Sequence, residues 1–380
     1  MTKFNFKKLT YLILISGFVF VGFTINTNQA QATIIQGAVT GNTSADLVVG
    51  TADADYNVSF GTAVTSTAQT ITITLPSGYT ITDGTIGTGS ATSTTAVCNS
   101  SCTQGAQISV NGINKAVNDV AGSSASRTVT ITLVNPTDLS VGTSTFRLLR
   151  GVTNATTSGA TATSSITSNA SGETAQTNIA GVTLTPGTAT QLVFTTQPAP
   201  ATATSGVALV TQPVVTARDT FGNTATGFVE TITATEASAG TLANNTSTAV
   251  SGVATFSGLT YTASADQESF TLTASSSVLT ATSSAVTSDV VATKVIVFTN
   301  PTSSVSGVSL TDPVIRFVNA QNTLDTVANT DVVTASVQSG GGTVSNTTTT
   351  AVNGVATFTP LFYTATADQQ AFVLSFADDT

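Results

Sequence analysis

The chain has 380 residues, of which 8% are charged and 40% hydrophobic, with no His, no Trp, one Met and two Cys. Without His the commonest general base and metal ligand is missing, which rules out His-based triads and His-ligated zinc sites. Ten cations against nineteen acids leave a net charge of −9, the wrong balance for a nucleic-acid footprint.

The first 32 residues read as an export signal. Lys3, Lys7 and Lys8 form a positive start, Leu9 to Phe23 form an apolar run, and Ala30-Gln31-Ala32 supplies the small residues that a signal peptidase accepts. The run is broken by Thr10, Ser16, Gly17 and Gly22, and it is shorter than the ~20 residues a spanning helix needs. Cleavage after Ala32 removes three lysines and no acid, leaving a net charge of −12. The expected location is therefore outside the cell, and the mature chain presents an acidic, Thr-rich surface that anionic lipid and nucleic acid repel.

Residues 33–185 read as a larger β-sandwich with long loops. Strands are expected at Thr33–Val39, Asn57–Phe60, Thr70–Leu75, Gln107–Val110, Arg127–Val134, Ser144–Leu149 and Ala162–Thr167, from alternation of apolar and polar residues. Thr70–Leu75 alternates most cleanly and is stopped by Pro76-Ser77-Gly78. In an exported chain, Cys98 and Cys102, with three residues between them, are expected to form one local disulfide that pins a loop. A ring that small contributes about 2 kcal/mol on the loop-closure account.

Residues 186–290 and 291–380 are two copies of one unit. Gln191-Leu192-Val193-Phe194-Thr195 recurs as Val295-Ile296-Val297-Phe298-Thr299, and Gly252–Phe256 recurs as Gly354–Phe358. Tyr261–Gln267 matches Tyr363–Gln369, and Phe270 and Leu272 fall on Phe372 and Leu374. The offset is 104 at Phe194/Phe298, 100 at Pro213/Pro313 and 102 in the second half, as expected when strands are kept and loops vary. Each copy alternates with period two in β-branched residues, as in Glu230–Thr235 and Ser269–Ala274. Turn residues separate these runs, and Asn353-Gly354 is suited to a two-residue hairpin. About seven short strands in about 100 residues is the pattern of an immunoglobulin-like sandwich. The expected fold class is all-β, with tandem immunoglobulin-like sandwiches after the larger N-terminal one.

The run from Val215 through Asp219 and Gly222-Asn223, followed by Gly240-Thr241-Leu242 and Gly252–Phe256, resembles the bacterial Ig-like domains of invasin- and intimin-type surface proteins. The resemblance covers about residues 186–380 and implies tandem use on a cell surface, without naming a partner. The second copy departs at the turn, where Asp219 and Gly222 become Asn319 and Asn322. Asn tolerates the left-handed conformation, so the turn is expected to survive. The second copy also stops short: Thr380 aligns with Val278, before the segment that closes the first copy. Either the chain continues in a longer protein or a partner supplies the strand in trans.

Little chemistry is offered. A Ser-Lys dyad could draw only on Lys115 or Lys294, no carboxylate pair sits in a glycosidase-like motif, and the chain is read as a non-enzyme without a cofactor. Calcium is a weak alternative, since Asp53-Ala54-Asp55 and Asp266-Gln267-Glu268 place oxygens on short loops without completing a calcium-loop signature. The expected function is that of an exported stalk or adhesion array, with a protein or glycan receptor as partner. Two rivals stand beside it: a surface-lattice or filament subunit that meets copies of itself by strand exchange, and the non-catalytic part of a secreted polysaccharide-active enzyme.

Overall fold

The computed structural model describes residues 34–62, 66–88, 97–98, 107–110, 112–139, 142–148, 150–169, 175–302 and 305–379. Among them, one 3-10 turn at Ala45–Leu47 interrupts an otherwise all-β chain. The chain divides into two compact units, Met1–Gly187 and Thr188–Thr380.

The first unit is a sheet wrapped around one core. Its path runs from Ile34–Gly41 to Tyr56–Thr62, Gly142–Leu148, Gln107–Val110, Ile113–Ser123, Thr128–Leu139, Ser66–Thr74, Ser164–Ser168 and Gln176–Ile179. The long strand Ile113–Ser123 makes the wrap. Its first residues pair with Gln107–Val110, its later ones with Thr128–Leu139, and a bulge between Val117 and Asp119 bends it from one layer into the other. The two end strands then meet, where the Gly37 N–H donates to Gln176 Oε1 at 2.7 Å. Only glycine fits there, because a Cβ on residue 37 would lie 2.7 Å from Ile179 Cδ1. Tyr56, Phe60, Ile71, Ile73, Ile131 and Phe146 fill the interior.

All seven expected strands of this unit are present with small shifts in their ends, and Thr128–Leu139 continues past Pro136. Ile113–Ser123 was not legible because its bulge leaves the buried Val117 and Val120 three residues apart, which destroys the period of two. One polar network lies inside. Tyr56 Oη donates to Asn154 Oδ1 at 2.5 Å, while Asn154 Nδ2 donates to the carbonyls of Asp46 and Val48. Tyr56→Phe should leave that amide oxygen short of its donor and cost about 1.5 kcal/mol by urea denaturation.

The second unit holds two sandwiches, each with its own core. The first buries Phe194, Val215, Ile232, Phe256, Leu272 and Val286 among others; the second buries Ile315, Phe317, Val333, Phe358 and Leu361. The strands Gln191–Thr196, Val214–Arg218 and Val253–Thr255 form one three-stranded sheet, and Lys294–Thr299, Val314–Val318 and Val355–Thr357 form its counterpart. In both copies a tyrosine ring stacks on a phenylalanine, Tyr261 on Phe270 at 3.8 Å and Tyr363 on Phe372 at 3.7 Å.

Two turns agree with their sequence reading. Asp219 Oδ1 accepts from the N–H groups of Phe221 and Asn223, and Asn319 Oδ1 accepts from those of Gln321 and Thr323. Asn322 stands at φ 66°, as Gly222 does at φ 85°. Asn353 and Gly354 sit at φ 50° and 72°, the positive pair that a two-residue hairpin demands.

One alignment needs correction. The shared Val-Phe-Thr places Phe298 on Phe194 at an offset of 104, but strand register places Val297 there. Phe194 lies opposite Val215, and Val297 lies opposite Ile315, one hundred residues on. The offset is therefore 103, and Phe298 takes the bulge position of Thr195. A slip of one residue turns a side chain to the other face. Thr195 Oγ1 hydrogen-bonds Thr216 Oγ1 at 2.9 Å in the first copy; in the second, the Arg316 guanidinium lies 3.3 Å from the centre of the Phe298 ring. Polar pairing has been exchanged for cation–π stacking at the same place.

Candidate functional site

The most organised polar feature of the second unit lies where the two sandwiches join. A strand end, Val286–Asp289, leads through Val290 and Val291 to Ala292 and then into Lys294–Thr299. A connector this short leaves several backbone N–H groups without strand partners, and buried donors need acceptors. Two carboxylates supply them. Asp266, in the loop before Glu268–Phe270, accepts from the N–H of Gln267 at 2.9 Å and of Val290 at 2.7 Å through Oδ1. Its Oδ2 crosses to the second sandwich, accepting from Thr326 N–H at 2.8 Å and Thr326 Oγ1 at 2.6 Å. Asp325 holds the connector to its own sandwich: Oδ2 accepts from the Ala292 N–H at 2.9 Å, and Oδ1 accepts from Val327 and Ala328. Asp266 thus joins the two sandwiches, while Asp325 fixes the connector to the second.

Its electrostatics are uneven. Burial pushes the Asp266 carboxyl up, but the donors from Thr326, Val290 and Gln267 outweigh it and hold its pKa below the usual carboxylate value. Asp289 goes the other way. Burial and the nearby charges of Asp266 and Asp325 raise its pKa, against one hydrogen bond from Gln267 Nε2 at 2.8 Å. An acid whose folded pKa is raised disfavours folding when charged, and this penalty disappears as pH falls through that pKa. Asp289→Asn keeps an acceptor for Gln267 and removes the charge. The variant should melt about 1–2 °C higher at pH 7, the discounted effect of one screened charge, and the gain should vanish in mild acid.

The residues weighed for calcium are otherwise engaged. Asp53 Oδ1 accepts from the Gly151 N–H at 2.9 Å, and Asp55 pairs with Arg147 at 2.8 Å. Glu268 accepts from the N–H groups of Ala239 and Ser264, closing its own loop. Among the described residues no group of three or more His, Cys, Asp or Glu is arranged to hold a metal ion. Whether a chelator lowers the melting temperature tests calcium at the Asp53–Asp55 and Asp266–Glu268 loops, and hydrogen-bonded carboxylates of this kind predict no change there. Lys294 is exposed, with Nζ 3.4 Å from the Ala320 carbonyl. Cys98 lies on the short strand Val97–Cys98, opposite Arg147, but Cys102 and the expected pairing lie outside the described residues. Ala30 and Ala32 of the expected cleavage site also lie outside them.

Sequence reasoning found Asp266 but weighed it as a metal ligand, and it missed Asp325 and Thr326. A signal was present. By strand register Asp325 stands where the first copy has Ala225, so a buried alanine has been replaced by an acid. A substitution of that kind needs a local donor set.

A second feature is a groove of about 410 Å³ in the second sandwich, between Lys294–Thr299 and Val373–Asp378. Its lining carries no charged side chain and includes Val297, Phe372, Leu374 and Phe376.

No protein-family model matches the chain, and no curated protein matches it. Among solved structures, a glycosyl hydrolase family 2 member from Bacteroides cellulosilyticus is 9% identical, with a TM-score of 0.24 over 63% of this chain and 24% of its own. Invasin, a bacterial integrin-binding protein, is 13% identical, with a TM-score of 0.30 over 91% of this chain and 55% of its own. The S-layer protein rSbsC is 12% identical, with a TM-score of 0.21 over 92% of this chain and 53% of its own. The chain thus spans about a quarter of the hydrolase and about half of the other two. Likeness at this level assigns no function.

Proposed function

We propose that this chain is an exported cell-surface protein whose tandem sandwiches serve as a stalk for an adhesive surface. The observation that carries the reading is the carboxylate clamp at the joint, where Asp266 of the first repeat accepts from Val290 and from Thr326 of the second. A flexible linker would need no such acceptors, whereas a spacer that must hold a direction does. Each sandwich has its own core, so the clamp contributes orientation where folding is already provided for. The first unit, with longer loops and a different fold path, is the part assigned to a protein or glycan receptor. No turnover is assigned to the chain: it has no His, and Asp53, Asp55, Asp266 and Glu268 each accept hydrogen bonds that tie segments or loops together.

Two measurements test this. Nitroxides on cysteines placed at the exposed Thr248 and Thr350, with Cys98 and Cys102 replaced by serine, should report one narrow distance distribution. A broad distribution would refute a directed stalk. In a secretion assay the chain should leave the cell shortened at Ala32, and deletion of residues 1–32 should retain it inside. Retention of the unshortened chain would overturn the surface assignment.

A further inference from the structure

The first repeat joins the segment by which the chain enters to the segment by which it leaves. The entering chain runs along Gln191–Thr196, paired with Val214–Arg218 in one sheet, and then crosses to another sheet as Thr202–Thr204. The leaving chain is Val286–Asp289, the middle strand of that second sheet, with Glu268–Phe270 on its other side. Thr202 stands opposite Thr287, Ala203 opposite Ser288 and Thr204 opposite Asp289, and the two strands run parallel, whereas the neighbouring pairs are antiparallel.

Hydrogen bonds fasten the two segments along their length. The Ser284 N–H donates to Gln197 Oε1 at 2.9 Å, the Thr287 N–H to the Ala201 carbonyl at 2.8 Å, and the Ser205 N–H to the Asp289 carbonyl at 2.9 Å. Each segment is then anchored a second time. Ser205 Oγ accepts from the Ala263 N–H at 2.9 Å, and the Val290 N–H donates to Asp266. Ala203, Val286, Ser288 and Val290 are buried, so water has no access to the pair from its inner side.

Strand direction decides how such a pair answers tension. A pull on the chain before the repeat acts on Thr202–Thr204 from its N-terminal end. A pull on the chain after it acts on Val286–Asp289 from its C-terminal end. In parallel strands these are opposite ends, so the strands are drawn past one another and all the bonds between them are strained together. An antiparallel exit strand would put both pulls at one end, and the bonds would open in succession. Rupture under force follows the barrier to unfolding, and bonds that must break together raise that barrier.

We infer that the first repeat resists tension, and that the parallel pair of Thr202–Thr204 and Val286–Asp289 is the shear lock that gives it this function. The lock follows from register within one repeat. The occasion for tension, a chain held at the cell and pulled at its distal surface, rests on the stalk reading.

The test applies constant force to the full chain in magnetic tweezers, with Cys98 and Cys102 replaced by serine. Handles on cysteines at the exposed Thr188 and Thr293 load the first repeat alone, from opposite ends of the pair. Handles at the exposed Val207 and at Thr293 pull on one end of the pair. At equal force the first geometry should unfold at least about tenfold more slowly than the second. Gln197→Ala, at an exposed position, removes the acceptor of Ser284 at the end of the pair far from Val207. It should shorten the lifetime about threefold in the first geometry and leave the second unchanged. Equal lifetimes in the two geometries, or an equal effect of Gln197→Ala on both, would overturn the lock. That outcome would leave the nitroxide distances standing, whereas a broad nitroxide distribution would remove the stalk without altering these lifetimes.

Discussion

Gly354→Ala should lower the stability of the second repeat by about 3–4 kcal/mol and its melting temperature by roughly 15–20 °C. Gly354 has φ 72°, where an L side chain meets its own backbone at a cost of about 1–2 kcal/mol. A Cβ there would also lie 1.9 Å from the Asp325 carbonyl oxygen, a distance no side chain tolerates, so the hairpin or the Asp325 loop must move. Movement is resisted, because the Gly354 N–H donates to the Ala328 carbonyl and the Phe317 N–H donates to the Gly354 carbonyl. Gly252 is the counterpart, with a would-be Cβ 2.6 Å from the Ala225 carbonyl, so Gly252→Ala should be damaging by the same route and somewhat milder. Asn353→Ser separates conformation from collision. Ser251 holds φ 50° at that place in the first repeat, so the exchange should cost no more than about 0.5 kcal/mol by urea denaturation. If Gly354→Ala proved as mild as Asn353→Ser, the close approach to Asp325 would be wrong.

That hairpin marks how far a sequence of this kind can be read. Features set by a few neighbouring residues were legible: the Asn353-Gly354 turn, the Asn319 loop that copies the Asp219 one, and the strands of residues 33–185 that alternate without interruption. Features set by pairing were not. The bulge at Asn118 hides the strand Ile113–Ser123 on either side of it, because periodicity fails wherever two residues oppose one. The same limit misplaced Phe298, since shared letters aligned it with Phe194 while the ladder moved it one step. The clamp lay furthest out of reach. Asp266 and Thr326 are sixty residues apart, and an aspartate in a loop reads the same whether it meets a metal, water or a backbone N–H. What distinguishes these is the set of donors around it, and those come from three separate segments.

Asp266→Ala should cost about 2–3 kcal/mol and broaden the distance distribution between nitroxides at Thr248 and Thr350. The substitution takes the acceptor from the N–H of Val290, which is fully buried, and from the N–H and hydroxyl of Thr326. Hydrogen bonds to a charged acceptor are worth more than neutral ones, and buried donors left unmatched add their desolvation cost. Both cores remain intact, so the unfolding signal should split into two transitions as the repeats lose their coupling. Thr326→Val removes the hydroxyl alone and should cost about 1 kcal/mol; in a double-mutant cycle with Asp266→Ala the two effects should add to less than their sum. Acid offers a second route to the same state. The Asp266 pKa is depressed on folding, so its contribution is complete above the ordinary aspartate value of 3.8 and is lost as pH falls below it through the folded pKa. Asp289, with its pKa raised, contributes in the opposite sense above 3.8. The wild-type joint should therefore tighten slightly from neutral to mildly acidic pH and loosen below about 3.8, whereas Asp266→Ala should lose the second phase. A single narrow distribution in Asp266→Ala at neutral pH would show that the repeats are held by something other than this carboxylate.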